Sequence, residues 1–492
     1  MSQYSATPRS RFQWLRHALE KRSASAAGMV GVVMLGFLGF AQIVPNSAIV
    51  WTIFAIILYE FQKRLDQGVP LLQLTSVIAV LQWLVGPHLN YSSDMTFGRY
   101  SMYVPEAVYF QFAIPATAFF IALMLSVGAS VKQRNLLQAV ERRNFFAIGV
   151  LLNIVAIGAT IAAGRVGGGL QFFLHLVSQM RYVGAIYFLF SLSPLRLLFA
   201  AGSCATLLSS SLGSGMFHDL ILWLAILFCY WFAQRKWVLS VKLAVLSATA
   251  MALFSIQVIK QEYRLELKKG QNPSILRMVF DYVTPGGKAW ETSTLSLAIT
   301  RLNQGWIISA VMKHVPENEP FAEGETVKVA VLASIAPRFL WADKKTAGGR
   351  ENFRRFTGLP IADSTSMGIS PLGEAYANYG VIGGIGFMVL FGGFFALFYY
   401  GTLRYTLNNP TFLFWIPLIF YQAMKAETEL SVIMNQLTKG AVVAFGGFFL
   451  LRQVLPVKMK KVVSTAPVGP GLLSAQPSPS PLARLGAPQG PK

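Results

Sequence analysis

Along the chain, long apolar runs alternate with short polar breaks, a rhythm that predicts helices rather than strands. The runs place helices near 27–44, 48–61, 70–87, 107–128, 145–163, 171–192, 196–212, 217–233, 238–258, 374–400, 411–424 and 431–451. Most reach the roughly 17 residues that a helix needs to cross a hydrocarbon core of about 30 Å. The fold class expected is all-α: a polytopic integral membrane protein with about 12 transmembrane helices and one long extracytoplasmic loop. The run 171–192 contains His175 and Arg181. If both lie outside lipid, that span shortens and becomes re-entrant.

An even number of spans puts both termini on one side, and charge decides which. The breaks on the side of the N-terminus hold Arg9, Arg11, Arg16, Lys21 and Arg22, then Lys63 and Arg64, then Lys132, Arg134, Arg142 and Arg143. Arg235, Lys236, Arg452, Lys458, Lys460 and Lys461 continue the series, whereas the opposite short loops offer little beyond Arg99, Arg165 and Lys425. Cytoplasmic loops of membrane proteins carry the excess of Lys and Arg, so both termini are expected in the cytoplasm. The organisation is then a basic tail over 1–26, about nine spans over 27–258, a loop over 259–373, three spans over 374–453, and a tail over 454–492. Within that tail, 464–492 is rich in Pro, Ser and Gly and reads as disordered.

Composition agrees. Of the 492 residues 54% are apolar and 13% charged, half the usual charged share of about a quarter. The net charge of +21 follows from the cytoplasmic loops and does not imply nucleic acid. Cys204 and Cys229 both fall in apolar runs, so neither a disulfide framework nor a thiolate metal site is implied. The first apolar run follows a basic tail but lacks a small-residue cleavage site and leads into another run, so it reads as a retained anchor.

The segment 259–373 with Glu374 holds 12 of the chain's 21 acids. Loops of this length are usually functional or partly folded, and here 292–312 and 326–341 look like amphipathic or buried helices lying against the membrane. Its chemical lead is PRFLWADKKTAGGRENFRRFTG, 337–358, with Arg338, Lys344, Lys345, Arg350, Arg354 and Arg355 against Asp343 and Glu351. Guanidinium groups hold phosphate oxygens bidentately and Lys adds point charge, which suits a lipid-linked diphosphate at headgroup level. Contact with anionic headgroups is the plainer reading. The following stretch, 364–387, brings Glu374, Tyr376, Asn378 and Tyr379 to a helix start ahead of Gly380, Gly383, Gly384 and Gly386. Glu374 would complement its own helix dipole or, beside a basic cluster at a membrane boundary, serve as a site residue; the glycines would let helices pack closely. Lys260 and Arg264 share a helix face at the end of the ninth span, either snorkelling or joining the phosphate site. Arg301 interrupts an apolar helix, and Glu427 and Glu429 look simply solvated in the last outer turn. Walker loops, dinucleotide turns, HExxH and nucleophile elbows are absent from the sequence, and five scattered histidines argue against a His-based metal centre.

This order of features resembles the bacterial O-antigen polymerases, or oligosaccharide repeat-unit polymerases. The pieces are Lys260-x-x-x-Arg264, a long outer loop, IAPRFLWADKK over 335–345, and Gly373, Glu374, Tyr376, Asn378 and Gly380 entering the next span. Arg338 and Gly349 fit the family's arginine-ten-residues-glycine pattern. The resemblance implies an inner-membrane glycosyltransferase that moves a growing glycan from polyprenyl diphosphate onto a second lipid-linked repeat unit. It would use no cofactor and no nucleic acid, lie among membrane lipid, and work beside a flippase and a chain-length regulator. Arg338 and Arg301, with Arg264 or Lys344, would stabilise the departing diphosphate, and Lys345 and Arg350 belong to the same cationic surface. Glu374 or Asp343 would accept the proton. Trp341, Tyr376 and Tyr379 would stack on sugars, with Asn378 beside them. Two other readings stay open: a ligase handing glycan to a lipid A core, and a transporter or channel, although transporters usually carry repeat symmetry and broken helices near the midplane.

Overall fold

The computed structural model describes residues 19–20, 24–214, 218–248, 292–336, 349–362 and 365–458. Apart from a two-residue antiparallel pairing of Leu19–Glu20 with Ser130–Val131, the described regular structure is helical. The N-terminal half contains α1 (Ala26–Ala41), α2 (Asn46–Arg64), α3 (Leu71–Ser92), α4 (Glu106–Val127), α5 (Phe145–Ala163), α6 (Gly168–Ser178), α7 (Met180–Phe190), α8 (Arg196–Ser214), α9 (His218–Phe232) and α10 (Leu239–Ala248). After the undescribed stretch come α11 (Thr292–Leu302), α12 (Gly305–His314), α13 (Glu325–Ile335), α14 (Arg350–Thr357), α15 (Ser370–Asn408), α16 (Pro410–Phe420) and α17 (Leu430–Val454). Five of these, α3, α4, α5, α15 and α17, are long and apolar enough to cross a membrane.

Small residues set the closest helix contacts, as expected where no hydrophobic gradient drives helices together. A Cβ at Gly392 of α15 would stand 2.5 Å from the Phe120 carbonyl of α4, and one at Gly39 of α1 would stand 2.4 Å from Ile114. Gly149 of α5 receives the Phe188 ring of α7 in the same way. Between these contacts, Phe120 stacks on Phe391 with ring centroids 5.7 Å apart.

The bundle has two chemically different ends. At one end Lys242 pairs with Asp66 at 2.8 Å, the Gln133 amide N–H donates to the Gln67 carbonyl, and that of Glu141 to Lys458. At the other end the described part of 259–373 packs onto helix tips. Gln304 donates its backbone N–H to the Gln82 carbonyl, Tyr103 to the Ser309 hydroxyl, and Gly86 abuts the Asn303 backbone. A π-helical turn at Leu81–Val85 interrupts the ordinary ladder in α3, and its Gln82 and Trp83 carbonyls accept from Gln304 and Tyr109.

Four expected helices differ from the sequence reading. The run 171–192 breaks at Gln179 into α6 and α7, both packed along α5. The stretch 292–312 breaks at Asn303–Gln304, where the Asn303 side chain accepts the Trp306 N–H and starts a new helix. The expected 374–400 begins at Ser370, runs to Asn408, and kinks at Gly380. The expected 411–424 opens as a 3₁₀ turn over Pro410–Trp415, and α16 is buried over its whole length to Phe420. Residues 249–258 of the expected 238–258 helix, residues 337–341 of the expected 326–341 helix, and the tail 464–492 lie outside the described residues.

Candidate functional site

Gly380 is where the site begins. Its φ of 66° and ψ of −156° lie where glycine alone sits without strain, and the bend interrupts the carbonyl ladder of α15. The freed carbonyls of Ala377 and Asn378 accept the N–H groups of Ala322 and Glu323 at 3.0 and 3.1 Å. Asn378 completes the junction: its Oδ1 accepts the Gly324 N–H at 3.0 Å, and its Nδ2 donates to the Thr326 hydroxyl and the Glu374 carbonyl, both at 2.7 Å. One side chain thus clips the start of α13 onto α15.

Glu374 lies one turn earlier, fully buried. Its Oε2 accepts the Leu430 N–H at 2.6 Å, so it caps α17, whose own N-cap residue Glu429 makes no side-chain cap bond. The first N–H groups of a helix lack partners within it, and the positive end of the dipole favours a carboxylate. Glu374 therefore serves a neighbouring helix, not its own. The Thr326 hydroxyl and the Glu429 charge both act on it, while Oε1 has no hydrogen bond of normal geometry.

Glu429 is not solvated, contrary to the expectation for the last turn; it is 3% exposed. Asn352 of α14 donates to its Oε2 at 3.2 Å and Ser431 to its Oε1 at 2.6 Å. Gly368 lies against the Glu427 carbonyl and the Glu429 backbone, so 365–369 closes over this turn. The α14 helix is clamped from the other side by Arg355, which meets Glu319 at 2.6 Å and Glu325 at 2.9 Å; the Glu319 hydrogen bond raises the guanidinium's pKa above its ordinary value.

Among the candidates, Glu374, Tyr376 and Asn378 come together. Tyr376 is nearly buried, its ring edge-on to Phe112 at 5.3 Å and to Phe321 at 6.2 Å, and it presents no open face for a sugar. Tyr379, just before the kink, is 37% exposed, with its hydroxyl beside Gly324. Arg350 opens α14 and donates to the Thr365 carbonyl at 3.3 Å. Arg301 is exposed in the last turn of α11 and makes no hydrogen bond or ion pair with Glu374. Arg264, Arg338, Trp341, Asp343, Lys344 and Lys345 lie outside the described residues. Among the described residues no group of three or more His, Cys, Asp or Glu could hold a metal ion.

A second polar cluster was missed from the sequence. Lys425, 7% exposed, pairs with Asp219 at 2.7 Å and lies over the Tyr421 ring. Lys439, well inside α17, donates to Asn435 Oδ1 at 2.6 Å. The signal was present: Asn435, Gln436, Thr438 and Lys439 form the one dense polar run in an apolar span.

A family model described as a domain of unknown function (DUF8712) matches residues 100–414. The chain belongs to the DUF8712 family. No curated protein and no solved structure matches it. The DUF8712 region takes in Glu374, Asn378 and α14, and ends before Glu429 and Leu430. The carboxylate pair is thus built from the family's region and the helix that follows it.

Proposed function

We propose that this chain is a multi-span glycosyltransferase that polymerises polyprenyl-diphosphate-linked repeat units at the outer face of a bacterial inner membrane, with about 12 spans. The observation that carries the reading is the buried pair Glu374 and Glu429 at the end of the bundle opposite the basic loops, beside α14, which holds Arg350, Arg354 and Arg355. An apolar bundle presents its reactive groups to substrates that arrive in the membrane, and two lipid-linked glycans are such substrates. In the transfer, an acceptor sugar hydroxyl attacks the anomeric carbon of the donor. The carbon–oxygen bond to the diphosphate breaks, and the diphosphate leaves with the electron pair. Arg338, Lys344 and Lys345 neutralise the charge that develops. The hydroxyl proton passes to a carboxylate, Glu374 or Asp343. Glu374 is fully buried in the described state, so a hydroxyl reaches it only when the packing around it opens. Broken helices alone do not favour transport, because the break at α16 is packed by Phe412, Phe414 and Trp415 rather than lining a cavity.

The test is polymer formed from purified lipid-linked repeat units, with glycan size read on a gel. Deletion should leave one repeat unit per carrier; transfer of finished glycan to a lipid A core instead would make the chain a ligase. Arg338→Lys should reduce activity more than Lys344→Arg at equal membrane abundance, since a point charge does not reproduce a bidentate fork. Equal activities would assign the cluster to headgroup contact.

A further inference from the structure

Where Lys439 of α17 meets Phe172, α6 borders a groove that the carboxylate pair does not use. Gln171 and His175 of α6 and Gln179 at its C-terminal cap recur at every fourth position and make one polar stripe. His175 Nε2 lies 3.1 Å from Gln179 Nε2, and Gln179, 7% exposed, leaves its Oε1 without a partner. The stripe borders an open pocket lined by Ala163, Gly164, Gln171, Phe172 and His175. Lys439 reaches the same wall, with its ammonium 5.1 Å from the Phe172 ring centroid. From the other edge, the charges of Asp219, Arg181 and Lys425 all act on His175.

An ammonium inside a helix long enough to span costs several kcal/mol unless it serves a polar partner, which makes such a group a site marker. Here one ammonium, Lys439, stands over Phe172 and the His175 imidazole faces a pocket whose remaining wall is mostly apolar, while Lys425 nearby is paired with Asp219. An ammonium and an imidazole beside an apolar wall match a molecule with an anionic head and a hydrocarbon tail. We infer that this groove binds the head of a polyprenyl diphosphate and so seats the second lipid-linked substrate; the identity of the ligand rests on the glycosyltransferase reading. The two substrates then lie along α17, one at its start beside Leu430 and the other further inside beside Lys439.

The full chain in nanodiscs of zwitterionic lipid tests this, with sugar-free polyprenyl diphosphate as the probe and phosphatidylglycerol as the comparison. Lys439→Met and His175→Leu should each weaken diphosphate binding about tenfold, the scale of one charge-assisted hydrogen bond, and leave phosphatidylglycerol binding unchanged. Gln171→Leu, at an exposed position, keeps the test valid if the Lys439 variant misfolds, and should also weaken the diphosphate. Unchanged diphosphate affinity in the well-folded variants overturns the inference. Equal loss for both lipids also overturns it, as a general anionic-lipid contact. Binding needs no turnover, so the two readings fail separately. Variant-sensitive binding in a chain that never polymerises keeps the groove and removes the polymerase; a polymerising chain with insensitive binding does the reverse.

Discussion

At Glu374, Ala and Gln replacements remove different things. Gln keeps an oxygen for the Leu430 N–H but loses the charge and most of the basicity; Ala loses both. Glu374→Ala should therefore strand a buried donor, costing about 1–3 kcal/mol, and lower the melting temperature in detergent. Glu374→Gln should melt close to the parent, yet lose roughly 10²–10⁴ in polymer formation if the carboxylate takes the proton. A Gln variant that polymerises normally removes Glu374 from the chemistry and leaves its capping role. The sequence marked Glu374 as a carboxylate at a helix start, but its acceptor role toward Leu430 spans 56 residues. Glu429 was illegible for the same reason, since Asn352, which helps bury it, is 77 residues away.

Gly380, Gly383, Gly384 and Gly386 follow Glu374 closely in α15, and pattern alone gives each the same packing role. The backbone separates them. At Gly380 a Cβ would meet the Phe321 ring at 3.1 Å on a backbone with positive φ, whereas at Gly386 nothing lies within 4 Å. Gly380→Ala should cost about 1–3 kcal/mol, the scale of a strained backbone position, and loosen the Ala377 and Asn378 carbonyls from 322–323. Gly386→Ala should be neutral or stabilise by about 0.5–1 kcal/mol, the helix penalty of glycine. Thermal melts of the two variants check this; a Gly380→Ala protein as stable as the parent would mean the kink is dispensable. The broken run at Gln179 carries the same lesson. Apolar periodicity reports that a helix exists, not where neighbours bend it.

For the whole molecule, the segregation of basic loops at one end predicts that the two ends face different compartments. A reporter inserted at Asn318, in an exposed turn near α14, and another after Lys458 should report opposite sides. Matching signals would sink the proposed topology and, with it, an outer-face active site.

By itself the sequence determined the material of this protein: apolar runs of helical length, with Lys and Arg gathered in alternate breaks between them. These are one-dimensional properties, because burying a helix in a membrane depends on its own side chains and its own satisfied backbone. Only the tertiary structure decided which polar groups meet. Glu374 on Leu430, Asn352 on Glu429, Lys439 over Phe172 and Asp219 on Lys425 each join helices that are distant in the chain. Such pairs arise where a buried donor or charge must find a partner, and packing, not local pattern, determines which partner is within reach.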